Sequence, residues 1–134
     1  MKIQEISTPA LAYLGDCVLE LRVRQHLIES GLSTSAHLNA AALNYVRASA
    51  QADAMKRILP HLTPEEEICF RRGRNIGHTN VPKRATVSEY RAATGMETLF
   101  GYLHLTGQEA RIAELFAIGY LQSSPTKEES NGQI

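Results

Sequence analysis

The sequence predicts an all-α protein, a single ribbon-free domain of about five main helices. Three observations carry that prediction. Strict apolar–polar alternation is missing and β-branched runs are few. Ala, Leu, Glu, Arg and Gln, all good helix formers, are abundant. Helix start and stop signals recur at helix-length intervals. The 134 residues read as one domain over residues 1–122, enough to bury roughly two-thirds of the unfolded chain's surface.

The elements follow in order. Thr8 and Pro9 read as the N-cap and first position of a helix that runs to about Ser30, with Gly31 as its stop. A second helix is expected from about Thr34 to Ile58, ending before Pro60. Thr63, Pro64 and the acids Glu65, Glu66 and Glu67 open a third, with negative charge where the helix dipole favours it, and it ends near Gly73. Residues 73–85, with two glycines, a proline and two asparagines, read as a loop. Thr86 with Glu89, and Thr106 with Glu109, have capping-box spacing. They are expected to open a fourth helix to about Leu105 and a fifth to about Gln122. The polar tail 123–134 is expected to be disordered.

Composition narrows the function classes. Cys17 and Cys69 are far apart and lack metal-like spacing, which argues against a disulfide framework or a zinc site. Cys17 reads as a small core residue. The N-terminus has no apolar signal core, and the mostly apolar stretch from Pro9 to Leu21 is broken by Asp16 and Glu20, so no membrane span and a reducing cytoplasmic setting are expected. The five histidines show no paired spacing, and no Ser or Cys reads as a nucleophile with a partner. Net charge is zero, but residues 71–91 hold six basic residues against Glu89, a local +5. A neutral protein with one such stretch can still bind a polyanion there. Arg71, Arg72 and Arg74 end the third helix, and Lys83 and Arg84 lie across the loop. Cations at a helix C-terminus are also favoured by the dipole alone. Five of them around a Gly-rich loop shift the balance toward phosphate contact, with Asn75, His78 and Asn80 able to reach a hydroxyl.

Helix one is apolar on nearly every side from Ala10 to Val23, which suits burial in a bundle or between subunits. Asp16 and Glu20 interrupt it. A buried carboxylate needs a base, a hydrogen-bond network or a metal. Gly15 weakens the helix interior, which suggests that a backbone or ligand approaches there. The residues alone leave two readings of Asp16: a structural carboxylate, paired to an arginine or turned to solvent, or part of a site. Glu20 either joins that site or pairs with Arg24 at i+4.

Three segments then carry a resemblance. Residues 10–21 (ALAYLGDCVLEL) resemble the signature helix of the ribonuclease III family, with its Leu-Gly-Asp core. Residues 44–53 (NYVRASAQAD) resemble that family's next helix, and residues 97–103 (ETLFGYL) its late helix, which carries a metal-binding Glu. The likeness covers about residues 6–121. Phe70 to Asn75 and Val81 to Lys83 also resemble the short branch called Mini-ribonuclease III, a catalytic domain without an appended double-stranded RNA-binding domain.

The resemblance implies a Mg²⁺-dependent endoribonuclease acting on double-stranded RNA and leaving 5′-phosphate and 3′-hydroxyl ends. It implies Asp16 and Glu97 as catalytic metal ligands, and a homodimer with helix one near the two-fold axis, each subunit cutting one strand. Arg71, Arg72, Arg74, Asn75, Lys83 and Arg84 are the expected RNA contacts. The implied substrate is precursor ribosomal RNA, trimmed near the ends of the large-subunit (23S) RNA, with ribosomal proteins as possible partners. Two positions depart from the pattern of larger members: Ala12 and Thr94 stand where those carry acids. The metal shell is therefore thinner, or is completed by Thr94 and water. The same departures sustain an alternative, a non-catalytic, ribosome-associated duplex-RNA binder of this fold.

Overall fold

The structure, a computed structural model, describes residues 2–76 and 85–121. Those residues form six α-helices and no strand: α1 (Thr8–Glu29), α2 (Ser35–Val46), α3 (Ala48–Ile58), α4 (Pro64–Arg74), α5 (Val87–Leu105) and α6 (Glu109–Phe116). Short 3₁₀ turns lie at Ile3–Glu5 and Leu59–His61, and a π turn, Ala117–Leu121, continues α6. The expected disordered tail lies outside the described residues.

Two helix starts form as the sequence predicts. Thr63 Oγ1 accepts from the Glu66 N–H (3.2 Å) while Glu66 Oε1 accepts from the Thr63 N–H (2.9 Å). Thr86 and Glu89 make the same reciprocal pair, both bonds at 3.0 Å. Each hydroxyl cap is worth about 1 kcal/mol. Gly31, the expected stop of α1, sits at φ +104° in the left-handed region.

Four expectations about the helices need correction. The N-cap of α1 is Ser7, whose Oγ accepts from the Ala10 N–H at 3.2 Å, so Thr8 is already helical. The expected second helix is two, because Arg47 adopts an extended conformation (φ −62°, ψ 147°) between α2 and α3. Neither Pro nor Gly marks this break. It lets α2 pack on α1 and α3 on α5, so packing overrides helix propensity. The capping box at Thr106 does not form: its hydroxyl donates to the Tyr102 carbonyl (2.8 Å), and Gln108 is the N-cap of α6 without a side-chain capping bond. The last helix is regular only to Phe116.

Helix α5 is the centre of the fold. Met96, Leu99, Phe100 and Leu103 are fully buried on it, against α1, α3 and α4. Each such side chain contributes about 1.5–3 kcal/mol relative to exposure. Glycines set how close the neighbours come. A Cβ on Gly15 would run into the Glu97 carbonyl, and one on Gly101 would run into the Leu11 carbonyl. α1 and α5 therefore touch backbone to backbone, the close approach that Gly15 suggested.

The opposite end is held by charge. Glu66 is 3% exposed and takes a two-pronged bond from Arg111, Nε to Oε2 and Nη2 to Oε1, both 2.8 Å. Arg111 also donates to the His61 carbonyl at 2.7 Å, so it joins α6 to α4 and to the turn before it.

Helix α1 is buried on one side only. Leu11, Val18, Leu19, Val23 and Leu27 enter the core, whereas Leu21, Ile28 and Tyr13 (86% exposed) face outward. Cys17 is exposed as well, so it is not the core residue the sequence suggested; the crossing with α5 turns its side of the helix outward.

Candidate active site

The Gly15–Gly101 contact decides where the acids go. Asp16 follows Gly15, and Glu97 supplies the carbonyl that Gly15 touches, so the crossing places both carboxylates at one spot. They line one open cleft of about 410 Å³ with Pro9, Tyr13, Ile76, Tyr90 and Thr94. Ala12, the departure from the acidic pattern, lines it too. Asp16 is exposed to this cleft rather than buried, one of the placements the sequence left open, and no arginine pairs with it among the described residues.

Glu97 is the withdrawn member. Burial, the Asp16 charge and a hydrogen bond with Asp16 push its carboxyl up to about 8, opposed by the Gln51 amide. Among the described residues no base lies between the two acids, so ionising both is costly. A proton or a cation between them relieves that cost. Oxygen donors suit a hard cation such as Mg²⁺, which keeps several waters and needs few protein ligands. The pair thus fits such an ion, although no cluster of three or more Asp, Glu, His or Cys occurs among the described residues.

Thr94, expected to help fill the shell, lines the cleft, but its hydroxyl donates to the Tyr90 carbonyl at 3.0 Å, leaving only oxygen lone pairs to offer. Glu20 pairs with Arg24 at 2.8 Å and lines a different groove, between α1 and α2.

Gln51 went unnoticed in the sequence. It lies on α3, 3% exposed, and lines a second cavity of about 200 Å³ with Glu97, Thr94, Tyr90 and Ala93. The available signal was a polar residue on the stripe of Met55 and Ile58, at i+4 and i+7.

The basic residues of α4 flank the Asp16 cleft. Ile76, two residues beyond Arg74, lines the cleft, and Arg72 Nη2 donates to Thr8 Oγ1 (2.8 Å), beside the cleft residue Pro9. Arg71 pairs with Glu67 at 2.8 Å, and Arg74 donates to Asn75 Oδ1 at 3.3 Å. All four side chains belong to exposed residues. Arg91, counted in the basic stretch but not singled out, lines a shallow groove with Arg74 and Asn75. Lys83 and Arg84, with His78 and Asn80, lie outside the described residues.

Comparison with known proteins gives the same family as the sequence resemblance. The chain is 43% identical over 114 residues to a Mini-ribonuclease 3 of Enterococcus faecalis, covering 84% of this chain and 86% of that one. It is 46% identical over 105 residues to a Mini-ribonuclease 3 of Symbiobacterium thermophilum, covering 78% and 81%. A crystal structure of a Fusobacterium nucleatum protein superposes with a TM-score of 0.78 at 31% identity, covering 87% of this chain and 93% of that one. The Ribonuclease III domain model matches residues 9–108, a span that holds both acids and the α1–α5 crossing, and the chain belongs to the ribonuclease III domain family.

Proposed function

We propose that the chain is an endoribonuclease that cuts double-stranded RNA with Mg²⁺ held by Asp16 and Glu97. The observation that carries this reading is the acid pair itself, pressed together by two glycines and lacking a basic partner among the described residues. The relatives named Mini-ribonuclease 3 support the reaction class. Bound Mg²⁺ would supply Lewis-acid chemistry: it lowers the pKa of water and offsets charge growing on the phosphorus.

The protein's own groups do the rest. Asp16 and Glu97 would hold the cation, and the proton that burial and Asp16 favour on Glu97 would have to leave for that. Arg71, Arg72, Arg74 and Asn75 grip phosphates and 2′-hydroxyls beside the cleft, with Lys83 and Arg84 assigned the same task. The products are a 5′-phosphate and a 3′-hydroxyl. The catalytic unit spans residues 1–122.

A homodimer would place two such clefts against the two strands of one duplex. The uncovered face of α1, with Tyr13, Cys17, Leu21 and Ile28, supports that arrangement. Precursor 23S ribosomal RNA is the proposed substrate, in the cytoplasm, with ribosomal proteins on the precursor particle as further partners. No helix among the described residues is long and apolar enough to cross a membrane.

The test incubates duplex RNA with the protein, with and without Mg²⁺, beside Asp16→Asn. Mg²⁺-dependent cleavage that falls by about a thousandfold or more in the variant is expected, several kcal/mol of transition-state stabilisation. Duplex binding without cleavage by the parent would instead support the non-catalytic reading, which the missing acids at Ala12 and Thr94 favour.

A further inference from the structure

Gln51 sits where a glutamine is hard to accommodate. It is buried on α3 among Ala52, Met55 and Ile58, yet carries a full amide. Its Nε2 donates to the Val46 carbonyl at 3.2 Å, a group that the break at Arg47 releases from helical bonding. Its Oε1 is buried and has no hydrogen-bond partner among the described residues. Buried carbonyl oxygens are rarely left without a donor, and one that is calls for a water or a ligand.

The surroundings say which. Gln51 lines the cavity of about 200 Å³ that it shares with Glu97, Thr94 and Tyr90. Those three also line the Asp16 cleft, whereas Gln51 does not, so Glu97 stands between Gln51 and Asp16. The cavity is roomy enough for water, and it offers the Gln51 carbonyl and the Glu97 carboxylate as partners.

We propose that Gln51 is a positioning residue whose Oε1 anchors water behind Glu97 and so holds that carboxylate in place for the cation. The inference rests on the reading of Asp16 and Glu97 as cation ligands. Such outer partners fix the orientation of a ligating side chain and raise its affinity for metal. Positions 12 and 94 are Ala and Thr, so neither supplies a further carboxylate beside Glu97. The amide N–H side is accounted for, at Val46 and toward Glu97, so the role proposed here belongs to the carbonyl.

Two substitutions separate the two halves of the amide. Gln51→Met keeps the volume and removes both the donor and the acceptor. Gln51→Glu removes the donor and keeps oxygen acceptors. Mg²⁺ affinity is measured by titration calorimetry on the full chain, with thermal midpoints and duplex binding in EDTA as controls. Gln51→Met is expected to bind Mg²⁺ about tenfold more weakly, with duplex binding in EDTA unchanged. Gln51→Glu is expected to bind Mg²⁺ at least as tightly as the parent. Equal weakening in both variants would mean that the amide N–H groups, at Val46 and toward Glu97, are what matter and would overturn the proposal, as would unchanged affinity in Gln51→Met. Asp16→Asn is run alongside: if it binds Mg²⁺ like the parent, the cation reading itself fails and this inference falls with it. If it binds poorly while both Gln51 variants match the parent, the cation reading stands and only the inference is lost.

Discussion

Glu66 and Glu97 are both carboxylates drawn out of water, and the fold treats them in opposite ways. Glu66 caps α4 and receives two bonds from Arg111. The Arg111 bonds, with help from Thr63 and against the cost of burial, hold its carboxyl below the ordinary range. Glu97 has another acid beside it and is pushed up to about 8. A carboxylate that only holds a fold together is given its counter-charge by the fold. One left without it among the described residues, in a cleft, has room for a charge from outside.

The comparison can be broken at several points. The largest effect is expected from Gly15→Ala. A methyl there meets the Glu97 backbone, so α1 and α5 must separate, at a cost of about 3 kcal/mol. Denaturant midpoints measure that loss, and cleavage should fall with it, because the crossing is what joins the two acids. A variant as stable and active as the parent would show that the close crossing does not build the site.

Arg111→Ala is next, at about 2–3 kcal/mol, since it leaves the Glu66 charge buried without its partner. Glu97→Gln should show the reverse, a higher thermal midpoint in metal-free protein at pH 8. The sign follows from the pKa. An acid raised in the folded state stabilises most below its unfolded value near 4.5, and that stability is lost as pH rises through about 8. Calorimetric scans of Glu97→Gln and the parent across pH 5–8 would expose that trend, whereas the Glu66 contribution is lost only as pH falls below about 4.5.

The smallest effect sharpens the same distinction among cations. Arg111 is committed to Glu66, whereas among the described residues Arg72 and Arg74 bond only neutral oxygens. Changing Arg71, Arg72 and Arg74 together to Ala should weaken duplex binding and flatten the salt dependence by about two units of slope. Filter binding across a salt series reads this directly, and an unchanged slope would remove these residues from the RNA interface.

Much of this was legible in the chain. The starts at Thr63 and Thr86 were, because each cap is settled within four residues. Gly15 was, because a glycine inside an apolar helix needs a neighbour to explain it. The break at Arg47 was not, because it answers to packing against α1 and α5 rather than to a local breaker. Thr106 misled for a related reason: its spacing to Glu109 fits a capping box, but its hydroxyl closes α5 instead. For the candidate site, family resemblance alone paired Asp16 with Glu97; periodicity could not bring together residues so distant in the chain. Gln51 stayed hidden because its significance lies in an oxygen without a donor, which only packing reveals.

The central claim is that Asp16 and Glu97 form a cation site in which a proton stands in for the metal. Calorimetric titration with Mg²⁺ at pH 7, in two buffers of different ionisation enthalpy, tests it most directly. The account predicts binding that releases about one proton per ion, and Glu97→Gln should abolish that release. Mg²⁺ binding without proton release, or binding that survives in both Asp16→Asn and Glu97→Gln, would contradict it.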